Sequence, residues 1–255
     1  MLWSLLPYLP LGLLAGLLSG LLGIGGGLVF APLLLLAGLD PHQALATSTL
    51  AIVPTTLGGT WTHLRSRSLP VRGSLAIGLG ACLGAGLFSQ VGLGLQGWHL
   101  LALQALMYGV LAFTIRPQSA LAAVETPNLN QLGLTTVGWV AGLATGLLGL
   151  GGGLVMVPLM VQVLRVPIHL AIRFSTLAVL VSAAVASSTF LLDGRGVLPV
   201  GLALGATAAI AARWSAARLD RVSDAQLVWM LRGLTLLLAV DSGRRALLLL
   251  LGSPS

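Results

Sequence analysis

No charged residue occurs before Asp40. A run of that length, written almost entirely in Leu, Gly, Ala and Pro with few polar residues, belongs inside a lipid bilayer or a large core. The rest of the chain decides between them. Of its 255 residues 56% are hydrophobic and 7% charged, against roughly 25% charged in a soluble domain. Apolar stretches of about twenty residues recur to the C-terminus, each enough for a hydrocarbon core about 30 Å thick. Lipid offers the backbone no hydrogen-bond partner, so a span must be a helix or part of a closed barrel. Continuous apolar blocks, rather than alternating ten-residue strands, select helix. The expected fold is all-α, a polytopic helical membrane protein. The first block lacks the short core and cleavage site of a signal peptide, so the N-terminus is expected to be retained.

Eight apolar blocks can be marked, at 2–37, 43–62, 71–95, 98–115, 131–163, 169–192, 197–213 and 226–251. The connection 116–130 contains Pro117, Glu125 and the string TPNLN, a composition suited to an exposed linker. It separates an expected first transmembrane repeat, 1–115, from a second, 131–255. The two are copies in sequence: GLLGIGGGLVFAPL at 20–33 and GLLGLGGGLVMVPL at 146–159 agree at eleven of fourteen positions. Further on, HQALATSTLA at 42–51 matches HLAIRFSTLA at 169–178, sharing His-x-Ala and Ser-Thr-Leu-Ala. Duplicated membrane halves are an architecture of secondary transporters. If the glycine blocks each cross once, the halves point the same way. If each goes in and comes back, the halves are inverted, and Arg65, Arg67 and Arg72 share a face with Arg213, Arg218 and Arg221, as the positive-inside rule prefers. The inverted arrangement is the expected one.

Blocks 2–37 and 131–163 are too long for a single crossing, since 36 helical residues would extend about 54 Å. The interruption falls at Gly23, Gly25, Gly26 and Gly27, and at Gly149, Gly151, Gly152 and Gly153. Glycine costs about 1 kcal/mol per position inside a helix, and irregular backbone at membrane depth survives only where protein buries it or water reaches it. Leu28–Ala37 and Leu154–Val163 would start new helices whose free N–H groups and positive dipole ends suit an anion. Glycines that merely let two helices pack closely are the alternative. A nucleotide-binding loop is not indicated, because no Lys-Ser/Thr follows and no strand precedes.

Arg173 lies within one turn of His169, with Thr176 at i+3 and an apolar stretch beyond. An arginine in a spanning segment marks a substrate path or an internal pair, unless it snorkels to the interface. Its counterpart in the first copy is Ala46, so the fold itself does not require the charge. His42 and His169 occupy matched positions, followed by Ser48/Thr49 and Ser175/Thr176. Two histidines make half a metal site with no carboxylate or cysteine to complete it, so capping and interfacial hydrogen bonds are expected of them, with a possible accessory place beside the cargo. No metal and no cofactor is predicted.

Asp40, Glu125, Asp193, Asp220, Asp224 and Asp241 are the only carboxylates, and all but Asp241 fall in or beside connections. A cation carrier needs buried carboxylates to compensate its cargo, so the cargo is expected to be anionic. The same scarcity, with no nucleophile motif, argues against an enzyme. The net charge is +7 with no lysine at all, and arginines flanking apolar blocks orient a membrane protein rather than bind nucleic acid. The lone Cys82 excludes an internal disulfide. The expected partners are a small anion, the lipid bilayer and, additionally, a second copy of the chain as a homodimer.

The two segments 20–50 and 146–177 resemble the paired signature of the TauE/SafE family, the sulfite and organosulfonate exporters of bacteria and plants. A Gly-rich first helix, a proline five residues after the last glycine and a Ser/Thr-rich second helix recur in each half. The resemblance implies a multi-pass permease of the bacterial inner membrane that exports a small sulfur-containing anion such as sulfite or a sulfonate. The residues expected at the cargo are Gly25, Gly26, Gly27, Ser48, Thr49, Gly151, Gly152, Gly153, Arg173, Ser175 and Thr176. The alternative is a non-transporting membrane subunit whose arginine-rich loops dock a cytoplasmic partner.

Overall fold

The computed structural model describes residues 8–66, 68–114 and 130–252. The linker, apart from Asn130, lies outside them, as do Arg67 and Glu125. Ten α-helices are present among the described residues: α1 (Tyr8–Leu22), α2 (Gly27–Leu36), α3 (Pro41–Arg65), α4 (Val71–Gly94), α5 (Gly97–Thr114), α6 (Gln131–Leu148), α7 (Gly153–Gln162), α8 (Ile168–Leu192), α9 (Leu198–Ala216) and α10 (Asp224–Gly252). The eight apolar blocks are all there, and two of them are pairs of helices. The final block, despite Asp241, Arg244 and Arg245, forms one unbroken helix of 29 residues; Asp241 bonds both arginines at i+3 and i+4, so the charges satisfy one another on its surface.

Local chemistry explains where helices start. The Asp40 side chain accepts from Gln43 N at 2.9 Å with Pro41 in the first helical position, and Asn130 accepts from Leu132 N at the start of α6. Both satisfy amides that a helix start leaves orphaned. Four helices, α4, α6, α8 and α9, are individually long and apolar enough to cross a bilayer. α3 is just as long, at 25 residues, and is less apolar because Thr47, Ser48, Thr49, Thr55, Thr56 and Thr60 are all buried along it. It is an interior helix, and its hydroxyls face protein. α4 shows the opposite device, with Leu75, Leu79, Leu83 and Leu87 forming an exposed ridge at i, i+4 spacing toward the lipid.

Helix directions follow from which residues touch. Along α3 and α9, Leu50 meets Gly201, Pro54 meets Gly205 and Gly58 meets Ala209, so these helices run parallel. Along α4 and α8, Gly73 meets Phe174, Gly78 meets Leu177 and Gly86 meets Val185, again parallel. His42 at the start of α3 bonds Leu95 just past the end of α4, so α3 and α4 are antiparallel. It follows that α3 opposes α8, and the two halves are inverted copies. Arg65, Arg213 and Arg218 line one groove, which places Arg65 on the same face as Arg213 and Arg218.

The first helix of each half goes in and comes back. Gly12, Gly16 and Gly20 of α1 abut Leu204, Ala208 and Ala212 of α9 in the same order, and Gly138, Gly142 and Gly146 of α6 abut Ile77, Ala81 and Ala85 of α4. α1 therefore runs parallel to α9 and α3, and α6 parallel to α4 and α8. The chain reverses in between through α2 and α7. A glycine every fourth residue lets these backbones approach within touching distance. Close packing is thus the role of the glycines before each break, and the break glycines do something else.

Candidate functional site

Each break is built by left-handed glycines. α1 ends at Gly23 (φ 67°) and α6 at Gly149 (φ 64°), each amide closing on the carbonyl four residues back, at 2.8 and 2.9 Å. The chain then turns through Gly25 and Gly26 (φ 76° and 81°) or Gly151 and Gly152 (φ 83° and 62°) before α2 and α7 begin. Such angles carry a steric penalty for any residue with a Cβ.

The two breaks meet. A Cβ on Gly27 would lie 2.7 Å from the carbonyl oxygen of Leu150, and one on Gly153 would run into Gly23 and Ile24. Gly25 and Gly151 both pack on Ile52 and Val179, which are equivalent positions, each the twelfth of 25 residues in α3 and α8. The contact is therefore central to helices about 37 Å long, deep in the span. All of Gly23–Gly27 and Gly149–Gly153 are buried. At the restart, Val29 and Phe30 donate back to Gly26, and Val155 and Met156 to Gly152. The amides of Gly25, Gly26, Gly27, Gly151 and Gly152 have no acceptor among the described residues.

Two serines hold this pair by reaching across the repeat. Ser175 Oγ donates to Gly23 O at 2.7 Å, and its equivalent Ser48 Oγ lies 3.2 Å from Gly149 O and 3.4 Å from Gly27 O. Gln104 Nε2 donates to Leu148 O at 2.9 Å. The carbonyls of Gly23, Leu148 and Gly149 are thus met by side chains, whereas those five glycine amides are left open. Thr49 and Thr176 are buried, and both hydroxyls donate to carbonyls of their own helices, Ala46 and Ile172; what they can present inward is lone pairs. His42 Nε2 bonds Leu95 O at 2.8 Å, and His169 Nε2 bonds Val222 O at 3.1 Å while its Nδ1 meets Asp224. Both rings pin the start of one helix to the end of the next hairpin, away from the glycines.

Arg173 stands apart from the break pair. It is in the second turn of α8, near the arginine-rich face, and its terminal nitrogen bonds Asp220 at 2.5 Å. Asp220 belongs to a single 3-10 turn, Leu219–Arg221, between α9 and α10. Two residues that sequence reading did not select lie nearby on α3: Thr60 and His63, both buried. Extending the repeat alignment past Ser48 and Ser175 would have flagged them, because their counterparts are Ser187 and Phe190.

On the opposite face a cavity of about 570 Å³ is lined by Asp40, His42, Trp98 and Arg195, among others. A separate, small pocket shares His42 and Arg195 with it and is lined by Leu45, Leu147 and Phe190; Leu45 in turn lies against Gly149, whose added Cβ would touch it.

Inverted halves with paired helix breaks at mid-depth define a polytopic membrane transporter. The profile of the sulfite exporter TauE/SafE family matches residues 8–242, and the chain belongs to that family. A probable membrane transporter protein of Xylella fastidiosa (strain Temecula1) is 33% identical over 182 residues, covering 69% of this chain and 70% of its own. The probable membrane transporter protein YunE of Bacillus subtilis is 25% identical over 215 residues, 72% and 77% of the two chains. A shorter match, 43% over 49 residues, reaches the sulfite exporter TauE/SafE family protein 3 of Arabidopsis thaliana, covering 19% of this chain and 10% of that one. No solved structure matches the chain.

Proposed function

We propose that this permease carries a small sulfur-containing oxyanion, such as sulfite or an organosulfonate, across a bacterial inner membrane. The observation that carries the reading is the meeting of two helix breaks at mid-depth with five open glycine amides, while the carbonyls of Gly23, Leu148 and Gly149 are met by side chains. Such a place attracts negative charge and repels positive charge. Gly25, Gly26 and Gly27 with Gly151 and Gly152 hold the anion's oxygens, Gly153 N being taken by Gly151 O at 2.7 Å, while Ser48 and Ser175 hold the breaks in register. Thr49 and Thr176 flank the serines and offer lone pairs to a protonated oxyanion. Arg173 supplies fixed positive charge on the approach from the arginine-rich face, which by the positive-inside rule is cytoplasmic. The names of the relatives and the family support transport and an anionic cargo of this kind. Transport is a rocking of one half against the other about the glycine contact.

Counterflow into liposomes containing the purified chain tests this, with sulfite, sulfoacetate, taurine, sulfate and a monovalent cation offered in turn. Uptake of sulfite or a sulfonate with no cation flux is expected. Equal movement of the cation would remove the charge selectivity on which the reading rests.

A further inference from the structure

The inverted repeat allows a position-by-position comparison of the two approaches to the glycine contact. α3 and α8 each have 25 residues, offset by 127. Toward the arginine-rich face the approach is flanked by Gly59, Thr60 and His63 of α3 and Arg173 of α8. The equivalent positions on the other face are Ala186, Ser187, Phe190 and Ala46, of which Ala46, Ala186 and Phe190 close into an apolar cluster. The same fold is thus sealed by hydrocarbon on one side and lined by polar donors on the other.

Three polar atoms on this side are unmet. Thr60 Oγ1, His63 Nε2 and Arg173 Nε are each buried without a hydrogen-bond partner. Thr60 and His63 are 3% and 2% exposed, so water does not satisfy them freely. They converge by helix register: Gly59 packs on Thr176, and in an antiparallel pair one turn outward brings His63 opposite Ile172 and Arg173. Thr60, one turn further in, leads to Thr56, whose methyl packs on Gly25 while its hydroxyl donates to Ile52 O at 2.7 Å. A row of threonines therefore runs from this face toward the break, and the equivalent row on the other face ends at Phe190.

Asp220 holds Arg173 by one terminal nitrogen only, from an exposed 3-10 turn. A carboxylate so placed leaves Nε without an acceptor, whereas an oxyanion with two or three equivalent oxygens spans Nε and a terminal nitrogen together. A buried donor left unmet is costly, and the better acceptor displaces the poorer.

We infer that Arg173, His63 and Thr60 form a second anion site on the arginine-rich approach, and that Asp220 is its built-in competitor, released when a tetrahedral or pyramidal sulfur oxyanion takes the guanidinium. This rests on the anion-transport reading and adds to it the residue that regulates access. The site loads the glycine contact from one face, and Asp220 keeps Arg173 satisfied while no cargo is bound.

The test is the concentration of sulfite or sulfoacetate needed for half-maximal thermal stabilisation of the full chain in detergent. Removing a competitor that occupies most of the resting population raises the competent fraction, so Asp220→Asn is expected to lower that concentration roughly three- to ten-fold. Thr60→Val and His63→Phe, the residue present at the equivalent position, should raise it, and Thr60→Ser should restore it. The pair Arg173→Gln with Asp220→Asn removes both charges at once and leaves no unpaired ion; it should bind more weakly than the unsubstituted chain. Asp220→Asn binding no more tightly than the unsubstituted chain would overturn the competitor, and undiminished binding by the double variant would overturn the site. If the unsubstituted chain responds to neither anion and carries neither in counterflow, the transport reading fails instead.

Discussion

The hydroxyl of Ser175 lies 2.7 Å from the carbonyl oxygen of Gly23, 152 residues earlier in the chain. The bond ties the second half's α8 to the end of the first half's broken helix, and Ser48 repeats the arrangement toward Gly149. Each half therefore finishes the other's break. The carbonyls of Gly23 and Gly149 are each met from the other half, which holds the two interruptions against each other at depth.

Replacing these serines should separate their contributions. Ser175→Ala removes the shorter bond and leaves a buried carbonyl short of its donor, so a loss of about 1–2 kcal/mol is expected. Ser48→Ala, whose hydroxyl is shared between two longer contacts, should lose less. Thermal unfolding in detergent gives the order, and a larger loss for Ser48→Ala would contradict it.

Gly153→Ala should disable transport. Its Cβ would occupy space held by Gly23 and Ile24 backbone, so the breaks must part before the methyl fits, and at least a ten-fold fall in counterflow rate is expected, equivalent to about 1.4 kcal/mol on the barrier. Gly94→Ala is the control: nothing lies within 4 Å of its added methyl, and stability should change by no more than about 0.5 kcal/mol.

Phe190, clustered with Ala46 and Ala186, lines the small pocket beside the cavity on the opposite face. Phe190→Ala should widen that pocket. With Cys82→Ala as background and a thiol placed by Leu147→Cys, a small water-soluble alkylating reagent is expected to react several-fold faster once Phe190 is shortened. An unchanged rate would mean that the seal lies elsewhere.

The inverted arrangement can be checked in sealed vesicles of known sidedness. Ser66→Cys, past the end of α3, and Ala217→Cys, past the end of α9, should react with an impermeant thiol reagent from the same side. Gln43→Cys, at the start of α3, should react from the other. Labelling of Ser66→Cys and Ala217→Cys from opposite sides would restore parallel repeats.

Several of these features were legible in the residues. The charge-free blocks required a bilayer, and the duplicated glycine strings marked where the first helix of each half would stop, because lipid leaves helix the only regular choice and clustered glycine defeats it. The matched histidines, read as capping or interfacial hydrogen-bonding groups, bond the carbonyls of Leu95 and Val222, while Asp40 rather than His42 caps α3. The boundary of α3 was less visible: His63 and Arg65 read as part of an arginine-rich connection, yet they complete the helix, since Pro70 rather than the charges begins the next one.

Sequence alone determined the solvent, the repeat and the two interruptions, since each of these is set by local composition meeting lipid. Only the tertiary structure decided that the halves oppose one another, that their breaks touch, and that Arg173 pairs with Asp220. Those outcomes depend on contacts between residues tens to more than a hundred positions apart, where helix register and close glycine packing, not nearest-neighbour preference, set which groups meet.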